Sequence, residues 1–297
     1  MSEPHNVAVI GLGAMGYGMA ASVLRAGHTV WGIDIDPQRM EQFRSEGGAD
    51  GALSDVAGEL DAVLVVVVNA VQTEAVLFGP SGVVPKMKRG SVVLSSATMA
   101  PDTAKGFGEQ ASTHGVHYLD APISGGAARA ANGDLSVMSS GTPDARAAAR
   151  PVLDAIASTV FELGDAPGAG SAMKAVNQLL AGVHIATMAE AMVFGMTQGI
   201  SPEKFLEVIP KCAGTSWMLE NRAPHIVDSD YTPKSAVTIW PKDLGIVLDI
   251  ARDAKFSAPI TAAALQQYLA AAGQGLGHED DAAVAKVYAK NVGIALP

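Results

Sequence analysis

A glycine-rich loop near the N-terminus constrains the fold of this chain more than any other feature. An apolar run leads into Gly11, and Gly13 and Gly16 complete the spacing G-x-G-x-x-G before a predicted helix. Gly11 permits a tight turn, Gly13 lets the backbone approach a pyrophosphate, and Gly16 lets the helix pack closely on the strand. Because a helix N-terminus favours negative charge, the sequence predicts a dinucleotide site, with a glycine turn that binds no ligand as the alternative. The predicted contacts are Gly11, Leu12, Gly13, Ala14, Met15 and Gly16.

A carboxylate follows the next apolar run and bears on the choice of cofactor. Residues 28–33 form that run, and Asp34 ends it. An acid at this point accepts hydrogen bonds from both hydroxyls of an adenosine ribose but repels a 2′-phosphate. The nearest arginine, Arg39, lies farther along, in the next predicted helix. We therefore expect NAD rather than NADP, with a strand-end turn residue as the alternative interpretation of Asp34.

Composition and charge restrict the class of protein. The chain has 297 residues, 48% of them hydrophobic and 17% charged, which is typical of a globular protein large enough for two domains. A formal charge of −10 argues against a nucleic-acid partner, although local donors can still bind a small anion. We see no uninterrupted apolar run of about 18–20 residues and no signal peptide, so we expect no membrane association. The single cysteine, Cys212, excludes an internal disulfide and fits a cytoplasmic location; we also predict no metal site.

Strand-like and helix-like segments alternate in the first half of the chain. The strand-like runs cover 7–11, 29–34, 62–69, 91–95 and 117–121, and the helical segments between them cover 14–26, 37–45, 71–78 and 102–114. This alternation predicts an α/β fold with a doubly wound parallel sheet. Two later runs, 135–139 and 159–162, flank a helical segment at 142–156 and are expected to extend the same sheet.

The second half of the chain is predicted to be all helical. A glycine- and proline-rich break at 164–170 separates the two patterns, so we expect a dinucleotide-binding domain at 1–165 and a helical domain at 166–297. A long helix is predicted over 171–199, followed by helices over 202–211, 242–253, 260–274 and 280–291. Met188, Met192 and Met196 recur every four residues, which favours a core or a subunit interface over a cofactor contact. We expect a homo-oligomer, a dimer or tetramer, built on this domain.

Two adjacent glycines after a serine form a candidate anion site. Ser124, Gly125 and Gly126 follow a predicted strand, where doubly wound folds place their ligands. Successive backbone N–H groups and a hydroxyl suit a substrate carboxylate. A plain Gly-Gly turn is the alternative.

Two lysines are candidates for chemistry in the helical half. Lys174 and Asn177 lie on one face of the predicted long helix. The Lys174 amine can take a proton from a hydroxyl or give one to a carbonyl oxygen, whereas a solvated helix face is the alternative. Lys242 is a candidate ligand of substrate or cofactor, and Asp243 could cap a helix or orient a lysine.

Four motifs in order resemble the β-hydroxyacid dehydrogenase family over essentially the whole chain. They are GLGAMG at 11–16, DAPISGG at 120–126, KAVN at 174–177 and KDL at 242–244. The resemblance implies a Rossmann-like NAD-binding domain followed by an all-α domain. It implies that Lys174 is the catalytic acid/base assisted by Asn177, and that Ser124, Gly125 and Gly126 hold the substrate carboxylate. It also places Asn69, Thr98 and Lys242 at the cofactor, although Ala97 here replaces the serine that often precedes that threonine in the family.

Within the family, segments 68–79, 177–184 and 238–243 are most similar to the branch that oxidises the sugar acid L-threonate at C2 with NAD. Sister branches that reduce tartronate semialdehyde or oxidise 3-hydroxyisobutyrate remain alternatives. Two further alternatives are an imine reductase and a non-catalytic NAD sensor. The first is disfavoured because Lys174 and Asp34 are present, and the second because the lysine and the carboxylate site are intact.

Overall fold

The computed structural model describes residues 3–297, and the chain divides into two compact units. The first unit ends at Lys174, and the second covers Ala175–Pro297. The domain boundary expected between residues 165 and 166 stays a prediction. Each unit has its own elements and its own core.

The first unit contains all eight strands of the described residues and seven complete helices. The strands are β1 (Asn6–Ile10), β2 (Thr29–Ile33), β3 (Ala62–Val65), β4 (Val92–Ser95), β5 (His117–Asp120), β6 (Ile123–Ser124), β7 (Leu135–Ser139) and β8 (Ala157–Glu162). The helices are α1 (Gly16–Arg25), α2 (Pro37–Ser45), α3 (Leu53–Val56), α4 (Ala70–Phe78), α5 (Pro101–Thr113), α6 (Gly126–Asn132) and α7 (Pro143–Ile156). Short 3₁₀ turns at Ala57–Glu59 and Val84–Lys86 complete the unit.

Five strands form a parallel sheet in the order β2-β1-β3-β4-β5. In its register, Val9 lies between Gly32 of β2 and Leu64 of β3. Strand β3 is buried along its whole length, which explains its uninterrupted apolar sequence. Two separate apolar clusters cover the sheet, one containing Val9 and Leu64 and the other Ala8 and Val63. The predicted doubly wound parallel sheet is confirmed, and the order of the strands reverses between β1 and β3, where such folds bind ligands.

The expectation that later strands extend this sheet is wrong. Strands β6, β7 and β8 form a second sheet, in which β6 and β7 are antiparallel and β7 and β8 are parallel. A single antiparallel bridge, between Asp120 and Ser140, lies at the end of β5. This bridge has the same register as the β6–β7 pairs, and Met138 N donates to the Pro122 carbonyl oxygen at 2.9 Å. Strand β7 therefore runs antiparallel to the chain that follows β5 instead of adding a parallel strand to the first sheet.

Helices form the second unit, as predicted. Helix α8 (Ala169–Thr197) begins in the first unit and continues into the second, and it is followed by α9 (Pro202–Val208), α10 (Trp217–Val227), α11 (Ile239–Asp253), α12 (Pro259–Ala271) and α13 (Ala285–Val292). Shorter turns are the 3₁₀ segments Ile209–Lys211 and Asp281–Val284 and the π segment Ala272–Leu276. Met188 and Met192 belong to the core, whereas Met196 is half-buried.

The sequence analysis missed one helix of the second unit, α10, and misplaced the start of α11. Helix α10 was not predicted, although Leu219, Ala223 and Ile226 are buried at helical spacing, because Pro224 and a run of polar residues obscure the pattern. Helix α11 begins at Ile239, three residues before the predicted start.

Helix α8 is long and apolar enough to cross a membrane by length and composition alone, with a mean hydropathy of 1.6 over its most apolar 18 residues. Half of that window is buried inside the structure, and core helices of soluble proteins pass the same test. The sequence analysis predicted this helix but did not count it as a possible membrane span, because it considered only uninterrupted apolar runs.

Candidate active site

The glycine loop between β1 and α1 has the shape that a pyrophosphate requires. Gly11 has a φ of +99°, and a Cβ there would lie 2.6 Å from the Val66 carbonyl oxygen. A Cβ at Gly16 would collide with the Gly11 carbonyl oxygen, so the protein itself requires both glycines. At Gly13, by contrast, the nearest atom to a Cβ would be Arg39 Nη1 at 3.8 Å. The open backbone at Gly13, and a helix start with no side-chain cap, fit the approach of a dinucleotide phosphate.

Asp34 joins this loop to the end of β2. Its Oδ2 accepts a hydrogen bond from Leu12 N at 2.6 Å, and its Oδ1 accepts one from Asp36 N at 2.9 Å. Each carboxylate oxygen keeps a second lone pair that can accept a ribose hydroxyl. The next side chain, Ile35, is fully exposed and offers an apolar surface beside that position.

Arg39 is a site residue that the sequence analysis set aside. Helix α2 begins directly after its N-cap, Asp36, so Arg39 lies in the first turn and folds back over the loop. Its Nη1 donates to the Leu12 carbonyl oxygen at 3.1 Å, and its Nε lies 3.5 Å from Asp36. Arg39 also lines a cavity of about 280 Å³ together with Gly13 and Tyr17. The sequence signal that could have predicted this position is the Asp36-Pro37 start of the helix, because it places Arg39 in the first helical turn, close to the loop.

Asn69 and Thr98 follow the carboxyl ends of β3 and β4. Asn69 caps α4, where its Oδ1 accepts from Gln72 N at 2.9 Å. Thr98 is half-buried in the connection between β4 and α5. Because parallel strands end at one edge of the sheet, both residues lie on the same side as the glycine loop.

The loop after β5 forms the candidate anion site. Gly125 and Gly126 have φ values of +141° and +80°, which residues with a side chain rarely adopt. A Cβ at Gly126 would meet no atom within 4 Å, so the backbone is open on that side. Ser124, paired with Ser136 in the second sheet, fixes the start of the loop. Consecutive backbone N–H groups in such a turn suit a carboxylate.

Lys174 lies beside this anion site although 51 residues separate it from the loop. Its Nζ donates to the Ile123 carbonyl oxygen at 2.8 Å, one residue before Ser124. Lys174 is half-buried in the second turn of α8. The first unit therefore brings together a cation able to exchange protons and a turn able to hold an anion.

Asp120 fixes the start of α8 and was missed by the sequence analysis. It is 1% exposed, and its Oδ2 accepts from Gly168 N at 2.9 Å and Ser171 N at 2.8 Å. Ser171 Oγ donates to Oδ1 at 2.7 Å, and Ser140 Oγ donates to Oδ2 at 3.2 Å. Burial raises the pKa of Asp120, and the hydrogen bonds from Ser171 and Gly168 partly oppose that rise. Ser171 precedes Lys174 by three residues, which is less than one helical turn. Asp120 therefore fixes the position of the turn of α8 that leads into the lysine.

Asn177 and Lys242 belong to the second unit. Asn177 Nδ2 donates to Gln178 Oε1 at 2.9 Å, and Lys242 Nζ lies 2.8 Å from Asp243 Oδ1. The idea that Asp243 caps a helix is wrong, because α11 begins four residues earlier and Asp243 is inside it. The alternative idea, that Asp243 orients a lysine, agrees with its contact to Lys242.

Two family profiles cover most of the chain. The profile described as the NAD binding domain of 6-phosphogluconate dehydrogenase matches residues 6–164. The profile described as NAD-binding of NADP-dependent 3-hydroxyisobutyrate dehydrogenase matches residues 168–288.

Individual relatives match over nearly their full length. The chain is 50% identical to L-threonate dehydrogenase of Cupriavidus necator, covering 98% of both proteins. It is 44% identical to L-threonate dehydrogenase of Escherichia coli, covering all of this chain and 97% of that one. The crystal structure of 3-hydroxyisobutyrate dehydrogenase from Salmonella typhimurium is 46% identical, with a TM-score of 0.90 over 95% of this chain and 99% of that one. The chain therefore belongs to the 3-hydroxyisobutyrate dehydrogenase-like family of NAD-binding hydroxyacid dehydrogenases.

Proposed function

We propose that this protein oxidises L-threonate at C2 to the 2-oxo acid with NAD. One observation carries the proposal beyond family membership: the Lys174 amine touches the residue that precedes the Ser124–Gly126 turn. In a 2-hydroxy acid the carboxylate and the hydroxyl-bearing carbon are bonded directly. A carboxylate held by the turn would therefore leave the C2 hydroxyl within reach of a base beside it. The relatives named L-threonate dehydrogenase support the choice of acid.

The residues of this chain have distinct proposed roles. Lys174 takes the hydroxyl proton, assisted by Asn177, while Ser124, Gly125 and Gly126 hold the carboxylate. When bound, NAD supplies the acceptor for the hydride from C2. The proposed cofactor contacts are Gly11, Leu12, Gly13, Ala14, Met15, Gly16, Asp34, Asn69, Thr98 and Lys242.

The preference for NAD over NADP is also a proposal. It rests on Asp34, whose carboxylate stands where a ribose 2′-phosphate would have to fit. Arg39, in the first turn of α2, acts in the opposite sense, because it places a positive charge against Leu12, the residue whose N–H donates to Asp34. We assign the dominant effect to Asp34, since Arg39 is already paired with Asp36.

We further infer a cytoplasmic homo-oligomer, a dimer or tetramer, with no nucleic-acid or membrane partner. Large apolar side chains are exposed on helices of the second unit, among them Phe194, Trp217 and Ile260. Exposed apolar surface of this kind marks interaction sites. The acidic charge of the chain favours neither nucleic acid nor an anionic lipid surface.

Reduction of the cofactor with a panel of hydroxy acids tests the proposed function. The panel is L-threonate, D-erythronate, D-glycerate, tartronate semialdehyde (assayed in the reductive direction) and 3-hydroxyisobutyrate, each with NAD(H) and NADP(H). We expect the highest kcat/KM with L-threonate and NAD. A higher kcat/KM with glycerate, tartronate semialdehyde or 3-hydroxyisobutyrate would move the protein to a sister activity, and turnover of none of them would refute the proposal.

A further inference from the structure

Four polar side chains in the second unit form a continuous network, which we call the Lys242–Asn177 network. Lys242 Nζ lies 2.8 Å from Asp243 Oδ1, and Gln178 Nε2 donates to Asp243 Oδ2 at 2.5 Å. Asn177 Nδ2 in turn donates to Gln178 Oε1 at 2.9 Å. Asp243 is 2% exposed and Gln178 is 7% exposed, so water competes little for these bonds. The network links α11 to α8.

The carboxylate of Asp243 fixes the direction of the hydrogen bonds in this network. A carboxylate only accepts, so Gln178 must present its NH2 group to Asp243. The carbonyl oxygen of Gln178 then faces Asn177, which must offer its own NH2 group. Amide orientations are assigned from their partners, and a carboxylate at one end allows a single consistent assignment. Asn177 Oδ1 is left as an acceptor, without a hydrogen-bond partner among residues 3–297.

We propose that Gln178 is a positioning residue that holds Asn177 with its Oδ1 presented to a hydroxyl group of the sugar acid. This inference rests on the proposed function. Asn177 follows Lys174 by three residues on α8, so the two side chains share a face of that helix. Rotation of the Asn177 amide would place its oxygen against Gln178 Oε1 and offer N–H groups to the substrate instead. The network prevents that rotation, and the acceptor is fixed before the substrate binds.

Gln178→Glu tests the direction of the network through its pH dependence. The introduced carboxylate, when ionised, cannot donate to Asp243 and is repelled by it, and this repulsion favours its protonation. When protonated it has the shape of glutamine, donates through its O–H to Asp243 and accepts from Asn177. We expect kcat/KM for L-threonate to be about tenfold below wild type at pH 8 and to approach wild type as the pH is lowered to 6. The leucine of Gln178→Leu can neither donate to Asp243 nor accept from Asn177, so kcat/KM should be about tenfold below wild type at both pH values.

A matched control adds the same charge elsewhere in the second unit. Gln266 is exposed on α12 and takes no part in the network, so Gln266→Glu should follow wild type at every pH. The melting temperature of each variant is measured at the same pH values. Because all the proposed NAD contacts except Lys242 lie in the first unit, the NAD Kd of Gln178→Glu should stay within twofold of wild type.

The possible outcomes distinguish a failure of the positioning proposal from a failure of the proposed function. Recovery of both melting temperature and kcat/KM of Gln178→Glu at low pH supports the proposal. If the melting temperature recovers at low pH but kcat/KM stays equally far below wild type, the network exists but does not position Asn177, and the proposal is overturned. A constant deficit in both contradicts the assigned direction of the bonds. If the wild-type protein turns over none of the hydroxy acids in the panel, the proposed function itself fails, which is a separate result.

Discussion

Lys174 is the proposed proton acceptor, because its amine lies beside the Ser124–Gly126 turn. Lys174→Met should lower kcat for L-threonate oxidation by about 10²–10⁴-fold, the usual contribution of a positioned acid/base. NAD affinity should stay near wild type, since the cofactor loop is untouched. Steady-state NADH formation and NAD titration by protein fluorescence measure the two quantities. Lys204→Met, at an exposed ion pair with Glu207, is the matched control, and wild-type turnover in Lys174→Met would refute the assignment.

Asp34 and Arg39 make opposite contributions to cofactor choice. Asp34→Asn removes the charge that repels a 2′-phosphate and leaves the Arg39 guanidinium beside Leu12. We expect the ratio of kcat/KM with NADP to that with NAD to rise by about tenfold or more, as charges a few ångströms apart interact by one to several kcal/mol. Adding Arg39→Met should remove most of that gain, because the guanidinium that would pair with the phosphate is then absent. An unchanged ratio in Asp34→Asn would mean that another part of the loop selects the cofactor.

At the residue scale, local sequence pattern was sufficient to predict site residues whose structural elements follow one another directly along the chain. The glycine loop and Asp34 were predictable because strand, turn and helix are consecutive. Asp120, Arg39 and Gln178 were not, because their partners lie 51, 27 and 65 residues away. Nothing in a single sequence specifies such pairings, so the residues that position the site were found only in the structure.

At the scale of elements, the start of α8 decides where the lysine lies. Asp120→Ala removes the carboxylate whose Oδ2 accepts two backbone N–H groups, and no other group in that side chain can accept them. Leaving a buried donor unpaired costs about 1–3 kcal/mol of unfolding free energy, measured by urea denaturation. Because the first turn of α8 loses its anchor, kcat should fall while the NAD Kd stays unchanged.

The exposed Asp154, paired with Arg150, provides the control for that substitution, since Asp154→Ala should alter neither the unfolding free energy nor kcat. A stable Asp120→Ala variant with wild-type kcat would show that Asp120 does not position Lys174.

The chain beyond β5 also explains the failed sheet prediction. The sequence pattern predicted β7 and β8 as strands, but β7 pairs antiparallel with β6 and so lies outside the first sheet. Strand content follows from local pattern, whereas strand partners depend on contacts between residues that are distant in sequence.

At the scale of the whole molecule, the exposed apolar side chains of the helical unit predict self-association. Phe194 and Ile260 are each about two-thirds exposed, although both residue types are among those most often buried. Light scattering coupled to size-exclusion chromatography should give twice or four times the chain mass. Phe194→Glu should shift the protein towards smaller species if α8 contributes to the interface. A monomer of wild-type protein at micromolar concentration would refute the prediction.

The most direct test of the central claim follows the hydrogen on C2 of the substrate. The protein is incubated with NAD and L-threonate carrying deuterium at C2, and the NADH formed is analysed by mass spectrometry. Oxidation at C2 transfers that deuterium, so the NADH should be about one mass unit heavier than NADH formed from unlabelled substrate. NADH of ordinary mass, formed while the deuterium stays in the product acid, would show that another carbon is oxidised and would contradict the account.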